Sequence, residues 1–481
     1  MAWPIAKPKF QFNHQISPEW RVDSIPLRFP NAAHHDYNPM HIKDGIININ
    51  IKRDRLTGYL YPSLDSLTQR LQRNTTYPLC VTISWKAIAF PESRLAAPPW
   101  NEPIGPDICP DCIEPLRPYL NLLISHIGRW KAFRIFAPLV THLREEFSRI
   151  PRGGSAILES LVLMDVEQDA EIQCLSTLLL TIVQYGENFR ELFLLDNHDR
   201  AVTGVVAYPS SLSINRTFSL VPYDRLTTLR VDYKLSAIDA LRFLTRAGRL
   251  EVCAFFNIIG PTVSGHVEAV TCNSLKYLKL SNYEGDTADF KTTGTIHSLM
   301  KKISAPCLKK LILECEDEWD AEAFTTFITQ SSCVLISLHI INMGINAGEL
   351  VSCLELAGDS LIELLLKQRD EEPQLGNNLL TPHFIDCFSY YEPQMHDSDR
   401  ACLCPMLKVI SIGDLSLDGS GEFGRALSTR VGVTPLLGVQ ILCTDIARRG
   451  AYIEEMDVSS LRQLKTKDIQ VYLARDPCDG L

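Results

Sequence analysis

At 481 residues and 54.1 kDa, with 46% hydrophobic and 22% charged residues, the chain carries enough apolar side chains for one long core or several, which excludes wholesale disorder. A net charge of −10 and a pI near 5.7 argue against nucleic acid as the main partner, since phosphate binding needs a basic face. No apolar run approaches the roughly 20 residues that span a bilayer, and the first ten residues lack the apolar core of a secretory signal, so no membrane partner and no export are expected.

Residues 1–75 show no repeat, but Ile47, Ile49 and Ile51 alternate with polar residues and predict a strand over 46–51. Leu67 and Leu71, four apart, predict a short amphipathic helix over 65–73. Leu79, Val81 and Ile83 then predict a strand. Prolines from Pro91 to Pro118 are too dense for a helix or a central strand and predict an exposed loop. Residues 120–124 read as a helix leading into an aromatic strand, Trp130 to Ile135.

From Leu158 onward one template keeps returning, Leu-x-x-Leu-x-Leu. It stands at Leu158/Leu161/Leu163, Phe189/Leu192/Leu194, Leu226/Leu229/Val231, Leu250/Cys253/Phe255 and Leu275/Leu278/Leu280. It continues at Leu308/Leu311/Leu313, Leu335/Leu338/Ile340, Leu361/Leu364/Leu366 and Leu407/Ile410/Ile412, with successive starts 24 to 46 residues apart. Helical stripes lie between these strands. They read Ile172, Leu175, Leu179, Ile182 and Val183; then Ile238, Leu241 and Leu244, capped by Ser236 and closed by Gly248; then Ala323, Phe324, Phe327 and Ile328; then Leu350, Cys353, Leu354 and Leu356. The gap between Leu366 and Leu407 contains Arg369-Asp370-Glu371-Glu372-Pro373 and reads as a polar insertion. Leu436, Val439 and Ile441 predict a last strand.

A strand–helix unit of this kind hides its apolar side only against its neighbours, so the units must stack. The fold expected is α/β, an irregular leucine-rich-repeat solenoid over 76–450 with a curved parallel sheet inside and helices outside. A less regular N-terminal segment, 1–75, precedes it and a polar cap, 451–481, follows. A doubly wound parallel sheet is the competing architecture, disfavoured because one apolar template runs along the whole chain. The asparagine expected after the template appears once in register, at Asn197.

No catalytic motif is present: no phosphate loop, no Gly-x-Ser-x-Gly elbow and no His-Glu-x-x-His helix. Cys109 and Cys112 have zinc-knuckle spacing and Cys402 and Cys404 form another near pair, but neither pair has a second pair nearby to complete four ligands. His34, His35 and His41 read as solvated. Neither a metal nor a cofactor is expected, and the chain is read as having no catalysis of its own. An unrecognised enzyme using Cys109 and Cys112 or a histidine cluster is the rival class. The fifteen cysteines are an odd set, with Cys253 in a core slot and Cys174 and Cys353 in apolar helical stretches; they read as reduced thiols of a cytoplasmic or nuclear protein.

In the template the leucines point into the core and the interleaved residues point to the other side of the sheet. Arg230, Asp232, Tyr277, Lys279, Lys310, Glu314, His339, Glu363 and Lys367 therefore share one face and form the candidate partner-binding set. Val162, Met164, Phe193, Leu195, Ala254 and Phe256 give its earlier end an apolar character. The same side chains could be merely solvated, or the apolar ones covered by the N-terminal segment; contiguous apolar patches otherwise mark contact with a partner.

The stretch from Leu67 to Ser84, with its Pro78-Leu79-Cys80-Val81-Thr82-Ile83 strand, and the stretch from His126 to Ile135, with Arg129-Trp130, resemble fungal F-box proteins with leucine-rich repeats. The likeness runs over about residues 45–445. It implies a substrate-recognition subunit of a Skp/cullin/F-box ubiquitin ligase, with a Skp-type adaptor and a cullin as partners and the repeats choosing the protein target. The F-box, a helical module opening with Leu-Pro, is not found before residue 45, where Ile16-Ser17-Pro18-Glu19 and Ile25-Pro26-Leu27 are poor matches. A stand-alone leucine-rich-repeat scaffold is the alternative.

Overall fold

The structure is a computed structural model that describes residues 40–43, 45–53, 59–84, 114–136, 143–151, 153–164, 182–183, 186–195, 221–260, 268–282, 294–315, 318–367, 379–390, 402–413, 421–431, 433–443, 463–464 and 470–475. The first half of the chain supplies β1 (Met40–Lys43), β2 (Ile46–Arg53), β3 (Leu60–Tyr61), α1 (Leu64–Arg73), β4 (Leu79–Ser84), α2 (Arg117–Ser125), β5 (Trp130–Phe136), α3 (Arg144–Ser148), β6 (Ser160–Met164), β7 (Glu191–Leu195), β8 (Thr228–Ser236) and α4 (Ala237–Arg246). The second half supplies β9 (Val252–Ile259), β10 (Val270–Thr271), β11 (Tyr277–Asn282), α5 (Thr295–Met300), β12 (Ile303–Ser304), β13 (Lys310–Cys315), α6 (Ala321–Ser331), β14 (Ser337–Ile341), α7 (Ala347–Ala357), β15 (Glu363–Lys367), α8 (Pro382–Phe388), β16 (Val409–Gly413), α9 (Glu422–Arg430), β17 (Gly438–Cys443) and β18 (Gln470–Arg475).

Among the described residues sixteen strands form one open sheet, with β10 and β12 pairing separately. From β2 to β18 every pairing is parallel and the spatial order follows the chain; β1 and β3 pair antiparallel with β2. A doubly wound sheet reverses its strand order partway, and this one does not. The template explains the register. Leu161 lies opposite Leu192, Leu192 opposite Leu229, and Leu229 opposite Cys253. Cys253 then lies opposite Leu278, and Leu278, Leu311, Leu338, Leu364 and Ile410 continue the line. A slip of one residue would turn each of these fully buried side chains to the opposite face, so the register is strongly fixed.

Consecutive helices from α4 to α9 touch one another, and their large buried residues join the template residues in a single apolar core. Side-chain caps start them: Ser236 accepts from the Asp239 amide at 3.1 Å, Asp320 from Ala323 at 2.9 Å, and Asn346 and Glu349 form a reciprocal capping box, both bonds at 3.0 Å. Trp130, Phe133 and Ile135 occupy the template positions of β5, with Trp130 stacked on Phe133 at 4.5 Å.

Some predicted details differ. Ile238 and Leu356 face solvent; α4 buries Leu241 and Leu244 as expected and adds Ala237, Ala240 and Phe243 in place of Ile238. Gly248 does not take the left-handed cap conformation; α4 ends at Arg246 and is capped by Ala247, whose amide still reaches the Phe243 carbonyl. The gap between β15 and β16 is not polar throughout. It holds α8, capped by Thr381 with Pro382 in its first turn, which buries Phe384, Ile385 and Phe388. Asn197, Cys174 and the part of the predicted stripe from Ile172 to Leu179 lie outside the described residues, while Ile182 and Val183 are fully buried.

Candidate functional site

The residues that alternate with the template face away from the helices, and the register sets them in rows. One row runs Tyr277, Lys310, Ser337, Glu363, Val409. The next runs Arg230, Ala254, Lys279, Ile312, His339, Leu365, Ser411. A third holds Ser281, Glu314, Ile341, Lys367 and Gly413. All nine predicted site residues lie on strands of this sheet, β8, β11, β13, β14 and β15.

The structure joins most of them into two groups. In the first, the Arg230 guanidinium holds Asp232 by a two-pronged pair, Nε to Oδ1 and Nη2 to Oδ2, both 2.8 Å. Asp232 takes this position beside a register shift between Val231 and Lys234, and it is buried. The charges of Arg230 and Lys279 lie 4.1 and 4.2 Å from the ring centre of Phe256, which β9 carries between their two strands. Lys279 Nζ then reaches Glu314 at 2.7 Å, and Ser281 donates to the same carboxylate at 3.3 Å.

Glu363 centres the second group. Ser337 donates to its Oε2 at 2.7 Å, Lys310 Nζ lies 3.5 Å away, and His339 Nε2 is 3.3 Å from Oε1. Burial pushes the Glu363 carboxyl up, and the neighbouring His339 imidazole, the Lys310 charge and the Ser337 hydroxyl together outweigh it, bringing it down to about 2. Between the two groups sits a small apolar cluster of Ala254, Tyr277 and Ile312, each buried, with Val252, Phe256 and Ile341 packed on it. Lys367 lies one strand beyond His339, its alkyl stem against the backbone of Gly413.

The sequence found the charged positions and missed Ser281, Ser337 and Ile312. The hydroxyls carry no charge to single them out, and Ile312 reads as one more core residue inside Lys-Leu-Ile-Leu. Their signal was the register: each falls at an interleaved position of the template. Val162, Phe193 and Leu195 are buried, so they do not form an open apolar end, and the Met164 side chain lies outside the described residues.

The other candidates separate from this face. Cys109, Cys112, His34, His35 and the side chain of His41 lie outside the described residues. Cys402 and Cys404 wrap the fully buried Arg430 of α9. Arg430 Nη1 donates to Phe388 O at 2.9 Å, Leu403 O at 2.7 Å and Cys402 Sγ at 2.8 Å, and Nη2 donates to Cys404 O. Burial pushes the Cys402 thiol up, with the Arg430 charge acting against it. A guanidinium fixed there repels any cation brought to the same sulfur. Among the described residues no three His, Cys, Asp or Glu side chains are grouped to hold a metal ion, and no helix is long and apolar enough to cross a membrane. Compared with known proteins, the chain matches no family model and no curated protein.

Proposed function

We propose that the chain is an irregular leucine-rich-repeat solenoid that binds a protein partner over the open face of its sheet, as the substrate-recognition part of a Skp/cullin/F-box ubiquitin ligase in the cytoplasm or nucleus. One observation carries the binding reading: charged side chains that the register sets on neighbouring strands and joins in ion pairs, around Tyr277 and Ile312, which are themselves buried. Protein interfaces draw much of their affinity from aromatic and Arg/Lys anchors of this kind. Charges paired in advance also hold one geometry, which lowers the ordering cost on binding. This reading gives the chain partner selection and no reaction of its own.

The ligase role rests on the likeness of residues 67–84 and 126–135 to fungal F-box proteins. A stand-alone scaffold is the second reading. Mixing the purified chain with a Skp-type adaptor and a cullin separates the two: co-elution supports the ligase, and recovery of neither leaves the scaffold. For the binding face itself, Tyr277→Ala with Lys310→Glu should weaken partner binding by about tenfold or more, because it removes the central aromatic and reverses a charge. A double variant that melts normally and keeps every wild-type partner would exclude the open face as the binding surface.

A further inference from the structure

The earlier strands continue the open face, and there its polar groups are not joined to one another. The register extends the rows: Asn48, Cys80, Ala132, Ser160 and Glu191 make one, and Thr82, Arg134 and Val162 stand in the next. From β8 onward Arg230, Lys279 and Lys310 each hold a carboxylate. Arg134 of β5 differs: it is half-buried, and its guanidinium has no hydrogen bond or ion pair among the described residues. Ser160, diagonal to it on β6, is 5% exposed, and its Oγ is buried without a hydrogen-bond partner. A buried hydroxyl left in that state costs free energy and calls for an explanation. Ala132, the smallest side chain of its row, lies between Ser160 and Cys80, so Arg134, Ser160 and the half-buried Cys80 border one low spot on the sheet. The Arg134 charge reaches this spot. Burial pushes the Cys80 thiol up, and Arg134, then Lys131, pull against it.

We propose that Arg134 and Ser160 form a binding site for a carboxylate over Ala132. A guanidinium offers a planar pair of N–H donors that matches the two oxygens of a carboxylate, and the Ser160 hydroxyl supplies a third donor from the floor of the site. Neighbouring strands lie ~4.8 Å apart and residues two apart on a strand ~6.8 Å, distances that a long Arg side chain covers. Two acids of the chain limit what the site accepts. Glu159 is held by Lys131 at 3.4 Å and its charge acts on Cys80, while Glu191 stands opposite Ser160 on β7. A doubly charged phosphoryl group would face both of them with one free guanidinium as offset, whereas a singly charged carboxylate matches that one cation. The carboxylate belongs either to a free small acid or to an acidic side chain of a bound protein. This spot lies on β4 to β6, before the strands that carry the candidate set, and does not depend on the function proposed for them.

Cys80 stands beside the site and reports on it. The native full chain is treated with iodoacetate or with its neutral twin iodoacetamide at about pH 8.5, near the ordinary thiol value. In both reactions the thiolate sulfur displaces iodide from the CH2 carbon and the thiol proton passes to buffer. Mass spectrometry reads the product at Cys80 against that at the exposed Cys307. A carboxylate held by Arg134 brings its CH2 group to Cys80. The preference for iodoacetate over iodoacetamide should then be about tenfold higher at Cys80 than at Cys307, the worth of one charge-assisted hydrogen bond. Arg134→Gln should bring it to the Cys307 level, Ser160→Ala should lower it, and Arg134→Lys should restore only part, with thermal melts confirming that each variant is folded. Tyr277→Ala with Lys310→Glu should leave it unchanged, which keeps failure of this proposal distinct from failure of the functional one. Acetate and a blocked Ala-Glu-Ala tripeptide then compete with iodoacetate. Slowing by acetate at the lower concentration assigns the site to a free small acid, and slowing by the tripeptide at the lower concentration assigns it to a protein side chain. Equal preference at the two cysteines, a preference unchanged in folded Arg134→Gln, no reaction of Cys80 with either reagent, or no slowing by either competitor overturns the proposal.

Discussion

Glu363 ties three strands together through one side chain, and its acidity makes that tie measurable. Its carboxyl falls from the ordinary 4.5 to about 2 in the folded chain. The folded form thus holds the charged carboxylate more firmly than the unfolded form, and this stabilisation is complete above about pH 4.5 and lost as the pH falls towards 2. Glu363→Gln should cost about 1 kcal/mol at pH 7, the size of a partly screened pair. The difference between wild type and variant should shrink severalfold in urea melts at pH 2.5; a gap of equal size at both pH values would rule this account out. Arg430 poses the opposite case, a buried cation held, among the described residues, by carbonyls, a thiol and the face of the Phe388 ring at 4.4 Å. Phe388 O is an end carbonyl of α8, where the helix dipole is negative. Arg430→Met leaves these acceptors without a donor and should destabilise by about 3 kcal/mol. Arg430→Lys should rescue little, since an ammonium lacks the planar fork. A melt of Arg430→Met that matches wild type would show the carbonyls to be satisfied some other way.

At the scale of elements the template does most of the organising. Leu278 and Leu311 are fully buried on neighbouring strands, so Leu278→Ala or Leu311→Ala should cost ~2–5 kcal/mol. An unchanged melting curve for either would show that these positions are not core. The strands were legible in the sequence because their apolar spacing is in register from one to the next, and Trp130 and Phe133 keep that spacing even without leucine. The helices were less legible. Ile238 and Leu356 are as apolar as their buried neighbours, and only the rotation of the helix against the sheet decides which of them turns inward. Helix α8 was hidden by the charges before it, although Thr381-Pro382 followed by Phe384, Ile385 and Phe388 is a start signal with an apolar stripe. The candidate face was legible in its charges but not in their partners, because pairing across strands depends on a register that no single repeat contains. Asp232 illustrates this: its grip on Arg230 sits beside a register shift that the spacing of Leu229 and Val231 does not announce.

For the whole molecule, strand order matters more than any one contact. Each strand from β4 to β17 pairs with the strands next before and next after it in the main sheet, so the core is shared between neighbours rather than gathered at one centre. Damage should then be regional. In Leu278→Ala, amide exchange should quicken most in β9, β11 and β13 and least in β2 and β4. Uniform quickening along the sheet would mean that the chain unfolds as one unit. The same sequential order has a mechanical consequence. Tension applied between the two ends falls first on the outermost ladders, and each strand released hands the load to the next. A tethered molecule should therefore lengthen in a run of small steps, with the interior untouched until the load reaches it.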